Sequence, residues 1–250
     1  MTGRAAATGP AGLIDGPGTS EAAWRRWPDL PRCPVMDVTA WSSAVILAAH
    51  PDDEVLGAGG VISLLAAAGS RLRLIAVTDG EVSDPGHGDA AALALRRARE
   101  RADALLALGA AGVEVLRLGL PDSGLTGRDG EIAAALGPLV AGFEACLAPW
   151  EGDAHPDHEA VGRAARQAGP RVFFYPVWMW HWARPDDPRV PWRRAVRVPL
   201  PAAVARRKRA AIGCFRSQLE PRAHGGPVLP AGFVRHFTRD LELLFRAVRL

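Results

Sequence analysis

From residue 44 to about residue 177 the chain alternates short apolar runs with amphipathic stretches of helical length, and this rhythm limits the possible folds more than any other feature. Strands are expected at Ala44–Ala49, Leu72–Thr78, Val113–Leu118 and Val172–Val177, with a short element near Cys146–Trp150. Helices are expected at Gly57–Ala68, Ala90–Leu108, about Glu131 to Leu147, and Pro156–Ala168. Gly69, Gly109 and Gly169 stop three of them, and proline opens the last. Loops fall around Pro85, Gly86 and Gly88 and over Pro121–Gly130. This β-α-β-α order predicts an α/β, Rossmann-like fold, a mainly parallel sheet with helices on both faces. After Val177 the pattern weakens into a Trp-, Pro- and Arg-rich region, a helix around Pro201–Phe215 and a C-terminal element from about Leu229. Residues 1–40, rich in Gly, Pro and Ala, read as an irregular arm whose Trp24 and Trp27 dock on a single domain spanning 41–250.

Ligands of such sheets bind beyond the carboxyl ends of the strands. Two clusters fall at that rim. Ala49-His50-Pro51-Asp52-Asp53-Glu54 follows the first strand, and Gly152-Asp153-Ala154-His155-Pro156-Asp157-His158-Glu159 leads into a later helix. Either alone reads equally well as helix capping, since acids and proline favour a first turn. Together they concentrate carboxylates at one edge, at a cost in repulsion and desolvation that a divalent cation removes. Two histidines and one carboxylate suit a catalytic zinc, which keeps an open position for water. A further carboxylate then serves as base, and a further histidine stabilises an oxyanion or protonates a leaving amine.

Ala-His-Pro-Asp-Asp-Glu after an apolar strand, followed about a hundred residues later by His-Pro-Asp-His, resembles the PIG-L/LmbE-like zinc de-N-acetylases. These include deacetylases of GlcNAc-phosphatidylinositol, of GlcNAc-inositol and of antibiotic aminosugars. The resemblance spans roughly residues 44–220 and implies a role for each matching position. His50, Asp53 and His158 would ligate Zn2+, and Asp52 would be the general base. His155 would face the oxyanion or leaving amine in its protonated form, with Asp157 orienting it. Arg97 and Asp122 would contact substrate, an N-acetylated aminosugar conjugate whose aglycone is open: inositol, antibiotic core, lipid carrier or thiol conjugate. From the residues alone, Arg97 reads also as an ion pair with Glu100, and Asp122 as a turn initiator before Ser123-Gly124. Asp79 and Glu81 end the second strand, where pocket and capping roles are both open. Lys208 through Ser217-Gln218 resembles a structural segment of the family, although Phe215 stands where histidine is frequent. Trp178, Trp180 and Trp182 serve either a pocket mouth or core packing.

Three rival readings carry less. Gly57-Ala58-Gly59-Gly60 suggests a dinucleotide loop, but the third glycine of that pattern falls on Ile62 and three acids precede it. His50-x-Asp52 with a distant histidine suits an Fe(II) oxygenase, whose usual scaffold is β-rich. A metal-stabilised binding module leaves Asp52 and Asp157 unspent.

Composition sets the remaining bounds. The 250 residues are 48% hydrophobic and 23% charged, which excludes a disordered chain. No apolar run approaches the roughly 18 residues of a membrane span, and no signal-like N-terminus is present. Cys33, Cys146 and Cys214 lack paired spacing, which with the missing signal points to the cytoplasm. Of 30 basic residues only Lys208 is lysine, a skew that fits codon usage better than a nucleic-acid surface. The basic stretch 186–222 reads as a solvated helix face more readily than as a surface that steers anions. Oligomeric state is not legible.

Overall fold

The coordinates form a computed structural model describing residues 13, 14, 16, 18–84, 88–169, 171–222 and 225–248. Pro85 and Gly86 of the expected loop lie outside the described residues. Seven strands form one sheet: β1 (Ser43–Ala48), β2 (Arg71–Ala76), β3 (Glu114–Arg117), β4 (Ala145–Pro149), β5 (Val172–Tyr175), β6 (Ala195–Pro199) and β7 (Leu241–Arg246). Their order is β3-β2-β1-β4-β5-β7-β6. The first five pair in parallel, and β7 inserts antiparallel between β5 and β6. Every residue of β1, β4 and β5 is buried, because a parallel strand covered on both faces needs a continuous apolar run. The edge strand β3 is mostly exposed.

The main helices are α2 (Asp53–Ala67), α3 (Ala90–Ala107), α4 (Asp129–Val140), α5 (Pro156–Ala168) and, after the single turn α6 (Met179–Trp182), α7 (Ala202–Ile212). Helices α4 and α5 pack together, whereas α2 and α3 pack on α7. Right-handed crossovers place these two groups on opposite faces of the sheet. The chain winds outward from β1 through β2 to β3, then returns to β4 on the other side of β1. The reversal leaves a crevice at the β1–β4 junction, where Ala44, Val45 and Ile46 pair with Ala145, Cys146 and Leu147.

Three boundaries differ from expectation. Helix α2 starts at Asp53, four residues early, so both acids following Asp52 lie in its first turn. Helix α4 ends at Val140 instead of continuing to Leu147; Gly142, at φ 75°, reverses the chain into β4. The antiparallel pair β6–β7 is not among the expected strands.

The glycines of α2 have a packing reason. A Cβ on Gly57 would stand 2.0 Å from the Tyr175 ring, and one on Gly60 would stand 2.5 Å from Leu200. Close approach of neighbouring side chains, not a phosphate, explains this run. The N-terminal segment carries α1 (Glu21–Arg26), capped by Ser20, whose side chain accepts from Ala23 N–H. Trp24 is fully buried and donates its indole N–H to the Trp180 carbonyl at 2.8 Å. Trp27 and Trp192 meet edge-on beside it, and Trp41 stacks on Phe173. Among the described residues no helix is long and apolar enough to cross a membrane.

Candidate active site

The chain leaves β1 and turns into α2 within four residues, and the turn is tight. Asp52, at φ 129° and ψ −30°, takes a backbone conformation that costs a residue with a Cβ about 1–3 kcal/mol. Arg97 of α3 holds this turn from behind. Its guanidinium donates to the Pro51 carbonyl at 2.7 Å, to the Gly80 carbonyl at 2.8 Å and to Asp52 Oδ2 at 3.2 Å. The possible Arg97–Glu100 pair does not form; Glu100 instead accepts from Arg96 and Ser217. Below Asp52, Glu54 and Arg101 form a fully buried pair.

On the facing rim, Pro156 begins α5 and places Asp157 and His158 in its first turn. Asp153 fixes His158. Its carboxylate accepts His158 Nδ1–H at 2.8 Å and the backbone N–H groups of Val177, Trp178 and Met179. That hydrogen bond leaves Nε2 of His158 as the free lone pair.

Three donors converge across the β1–β4 crevice. His50 Nδ1 lies 3.3 Å from His158 Nε2 and 3.4 Å from Asp53 Oδ2, while His158 Nε2 lies 3.2 Å from Asp53 Oδ1. Donors about 2.0–2.2 Å from a tetrahedral ion stand roughly 3.3–3.6 Å from each other. The site therefore fits a small divalent cation. Two further groups of possible ligand atoms, each within 4.8 Å, share His50: one adds His155 and His158, the other Asp122 and Asp157. If Nδ1 of His50 faces the ion, its Nε2–H donates to Asp157 at 3.2 Å, with Asp122 at 3.3 Å.

The electrostatics of the cluster call for a cation. Burial pulls His158 down, but Asp53 and Asp153 more than offset it and push it up to about 9. His50 is likewise raised well above the ordinary imidazole value against burial, by Asp122, Asp157 and Asp53. Asp53 is driven well below the carboxylate range by His158 and His50, despite burial. Asp52 moves the other way, up to about 7, chiefly through burial with help from Asp53 and Glu54 and against the Arg97 charge.

Burial first, then the charges of His158 and His50, bring His155 down to about 3, against Asp53 and Asp157. Asp157 makes its hydrogen bonds elsewhere. The Asp157 carboxylate accepts from Ser123 N–H, Leu125 N–H and His50 because the first turn of α5 aims it across the crevice. Among the described residues Nδ1 of His155 is buried without a partner. Both substrate candidates do reach the pocket. Arg97 and Asp122 line a cavity of ≈ 170 Å³ with His50, Asp52, Asp53 and His158. Asp122 accepts from Val82 N–H and donates its own N–H to Glu81, while Asp79 is spent on Arg117. Of the three tryptophans only Trp178 lines this pocket; Trp180 lies under Arg239 and Trp182 stacks on Trp150. Sequence reasoning assigned no role of their own to Asp153 or Ser83 and only a structural one to Gln218; Ser83 and Gln218 line the pocket.

The family model GlcNAc-PI de-N-acetylase (PIG-L) matches residues 45–169, which include every residue of the convergent cluster. The chain belongs to the PIG-L family. Solved structures of related fold agree. The conserved protein TT1542 from Thermus thermophilus is 26% identical, with a TM-score of 0.61, covering 84% of this chain and 96% of that one. N,N'-diacetylchitobiose deacetylase from Pyrococcus horikoshii is 19% identical at TM-score 0.58, covering 82% of this chain and 81% of that one. Teicoplanin deacetylase Orf2, in a zinc-inhibited form, is 16% identical at TM-score 0.59, covering 83% and 98%. The fold also carries other chemistry: a 4-carboxy-2-hydroxymuconate hydratase, GalB from Pseudomonas putida, is 21% identical at TM-score 0.52, covering 71% and 80%. No curated protein matches. The PIG-L match thus names the family, and the site itself has to argue the reaction.

Proposed function

We propose that this PIG-L family member is a zinc-dependent de-N-acetylase that removes acetyl from an N-acetylated aminosugar conjugate. One observation supports the reading: two imidazoles and the carboxylate of Asp53 at 3.2–3.4 Å from one another, with a second carboxylate, Asp52, on the preceding residue. His50, Asp53 and His158 would hold the metal. When bound, such a cation acts as a Lewis acid and lowers the pKa of a coordinated water to about 7. Asp52 would accept the water's proton as attack on the amide carbonyl begins and return it to the leaving nitrogen as the C–N bond breaks, with Arg97 holding its carboxylate in place. His155, whose neutral ring presents an unpaired nitrogen, hydrogen-bonds the carbonyl oxygen or the leaving nitrogen. Asp122, Ser83 and Gln218 supply the hydroxyl-recognising groups that a sugar requires.

The test is release of acetate and free amine from a panel of N-acetylaminosugar conjugates by zinc-loaded protein. Stoichiometric release of both products is expected, with one ion per chain after dialysis. A protein that retains metal yet frees no amine from any member of the panel excludes the reading.

A further inference from the structure

The catalytic pocket, at ≈ 170 Å³, is smaller than the roughly 300–1,000 Å³ typical of ligand sites. Beside it lies a second cavity of ≈ 530 Å³, well within that range. Trp178 and Val228 line both, so the two are neighbours across a shared wall. The rest of the second wall comes from Ile14, Gly16 and Thr19 to Ala22 on one side and from His181 and the Pro230–His236 segment on the other. None of these residues belongs to the stretch 45–169 that the family model covers. The cavity is thus built from parts of this chain outside the matched core.

The lining sets the chemistry of the occupant. Phe233 packs on Trp178 with ring centroids 4.6 Å apart, and Ile14, Val228 and Pro230 continue that apolar surface. The carboxylate of Glu21 is already committed to Arg25, His236 and Arg239, so it offers no free anion. His181 sets one polar point in the wall, because its Nε2 is buried without a partner among the described residues. Thr19, Ser20 and the exposed Arg235 add polar groups at the margin of this surface, and walls that are mainly apolar with a few polar groups hold an aryl or alkyl group bearing hydrogen-bonding atoms. We infer that this cavity is the subsite for an apolar aglycone, aryl or alkyl, joined to the aminosugar whose acetamide lies at the His50–Asp53–His158 cluster. The inference rests on the de-N-acetylase reading for its orientation. An acetyl group ends at its methyl, so only the amine half of the substrate extends beyond the catalytic pocket.

The experiment compares three probes with zinc-loaded protein: 4-nitrophenyl N-acetylglucosaminide, N-acetylglucosamine and N-octanoylglucosamine. Binding is read by calorimetry and deacylation by free-amine release. Burial of one aromatic ring, discounted for the cost of ordering it, makes the aryl glycoside bind at least about tenfold tighter than the free sugar. Gly232→Trp should remove that gain, because Gly232 lines the cavity and a Cβ there meets nothing within 4 Å, so the backbone accepts a bulky side chain at the wall. Gly232→Ala should retain it, and unchanged thermal unfolding of both variants shows that the fold survives. Equal affinity for aryl glycoside and free sugar overturns the assignment, as does a gain that persists in Gly232→Trp. A gain carried by N-octanoylglucosamine instead places an acyl chain in the cavity and overturns it as well. Failure to release amine from any probe, with the binding gain intact and sensitive to Gly232→Trp, leaves the subsite standing and removes the deacetylase reading.

Discussion

Asp52 and Asp53 are consecutive carboxylates with different surroundings. Asp53 faces two imidazoles, whereas Asp52 faces Arg97 from a strained turn. Asp52→Ala is therefore expected to keep its metal while kcat falls by about 10²–10⁴, the usual range for a positioned proton acceptor. Elemental analysis beside steady-state rates checks this; a near-wild-type rate removes Asp52 as base. Asp153→Asn is expected to weaken metal binding roughly 10–100-fold, because it disturbs the partner that fixes the His158 tautomer. Competition with a chromogenic chelator measures that loss. The convergence of His50, Asp53 and His158 is legible as two linear motifs, since the first strand fixes where His50 lies and the proline of the second opens a helix. Asp153 was not. Its work is to gather backbone N–H groups from Val177–Met179, a contact that no local pattern announces. The hydrogen bond of Asp157 to His50 is hidden from the sequence for a related reason, because the two lie 107 residues apart and meet only across the crevice.

At the scale of elements, α2 is the unusual helix. Its first turn carries acids into the interior, and its glycines let Tyr175 and Leu200 approach the backbone. Gly57→Ala should destabilise the protein by about 1–3 kcal/mol through overpacking. It should also depress activity, since Tyr175 cannot yield easily: its hydroxyl donates to the Leu47 carbonyl at 2.6 Å. Denaturant melts of the variant decide this, and an unchanged midpoint would show that the ring moves freely. The central strands were readable because burial on both faces demands unbroken apolar runs. The pair β6–β7 was not readable, because its register depends on partners far apart in sequence. The start of α2 was misplaced because its acids look like a loop until a cation or an arginine accounts for them.

Across the whole molecule, the N-terminal segment is tied to the C-terminal one by Glu21, which accepts from His236 and Arg239. Burial alone would raise this carboxyl, but those partners and Arg25 hold it at about 2 against an ordinary 4.5. A group with a depressed folded pKa stabilises above its unfolded value and loses that contribution as pH falls. The stability difference between wild type and Glu21→Gln should therefore be largest near neutrality and shrink as pH drops from 4.5 towards 2. Urea titrations at stepped pH measure it; a constant difference would sever the arm's link to this carboxylate. Metal should act globally too. Removal by chelation is expected to lower Tm, and re-addition to restore it with a dependence on metal concentration, since only the folded chain brings the donors together.

Because β7 is the last of the described strands yet lies inside the sheet, synthesis imposes an order on assembly. Until Leu241–Arg246 leaves the ribosome, β5 keeps an open edge and β6 waits for its strand partner. Glu242 arrives on that same strand, and it binds Lys208 and the backbone of Gly60 and Val61 within α2. The helix bearing Asp53 is therefore locked only once Leu241–Arg246 has joined the sheet, which ties the geometry of the cluster to a strand almost two hundred residues away.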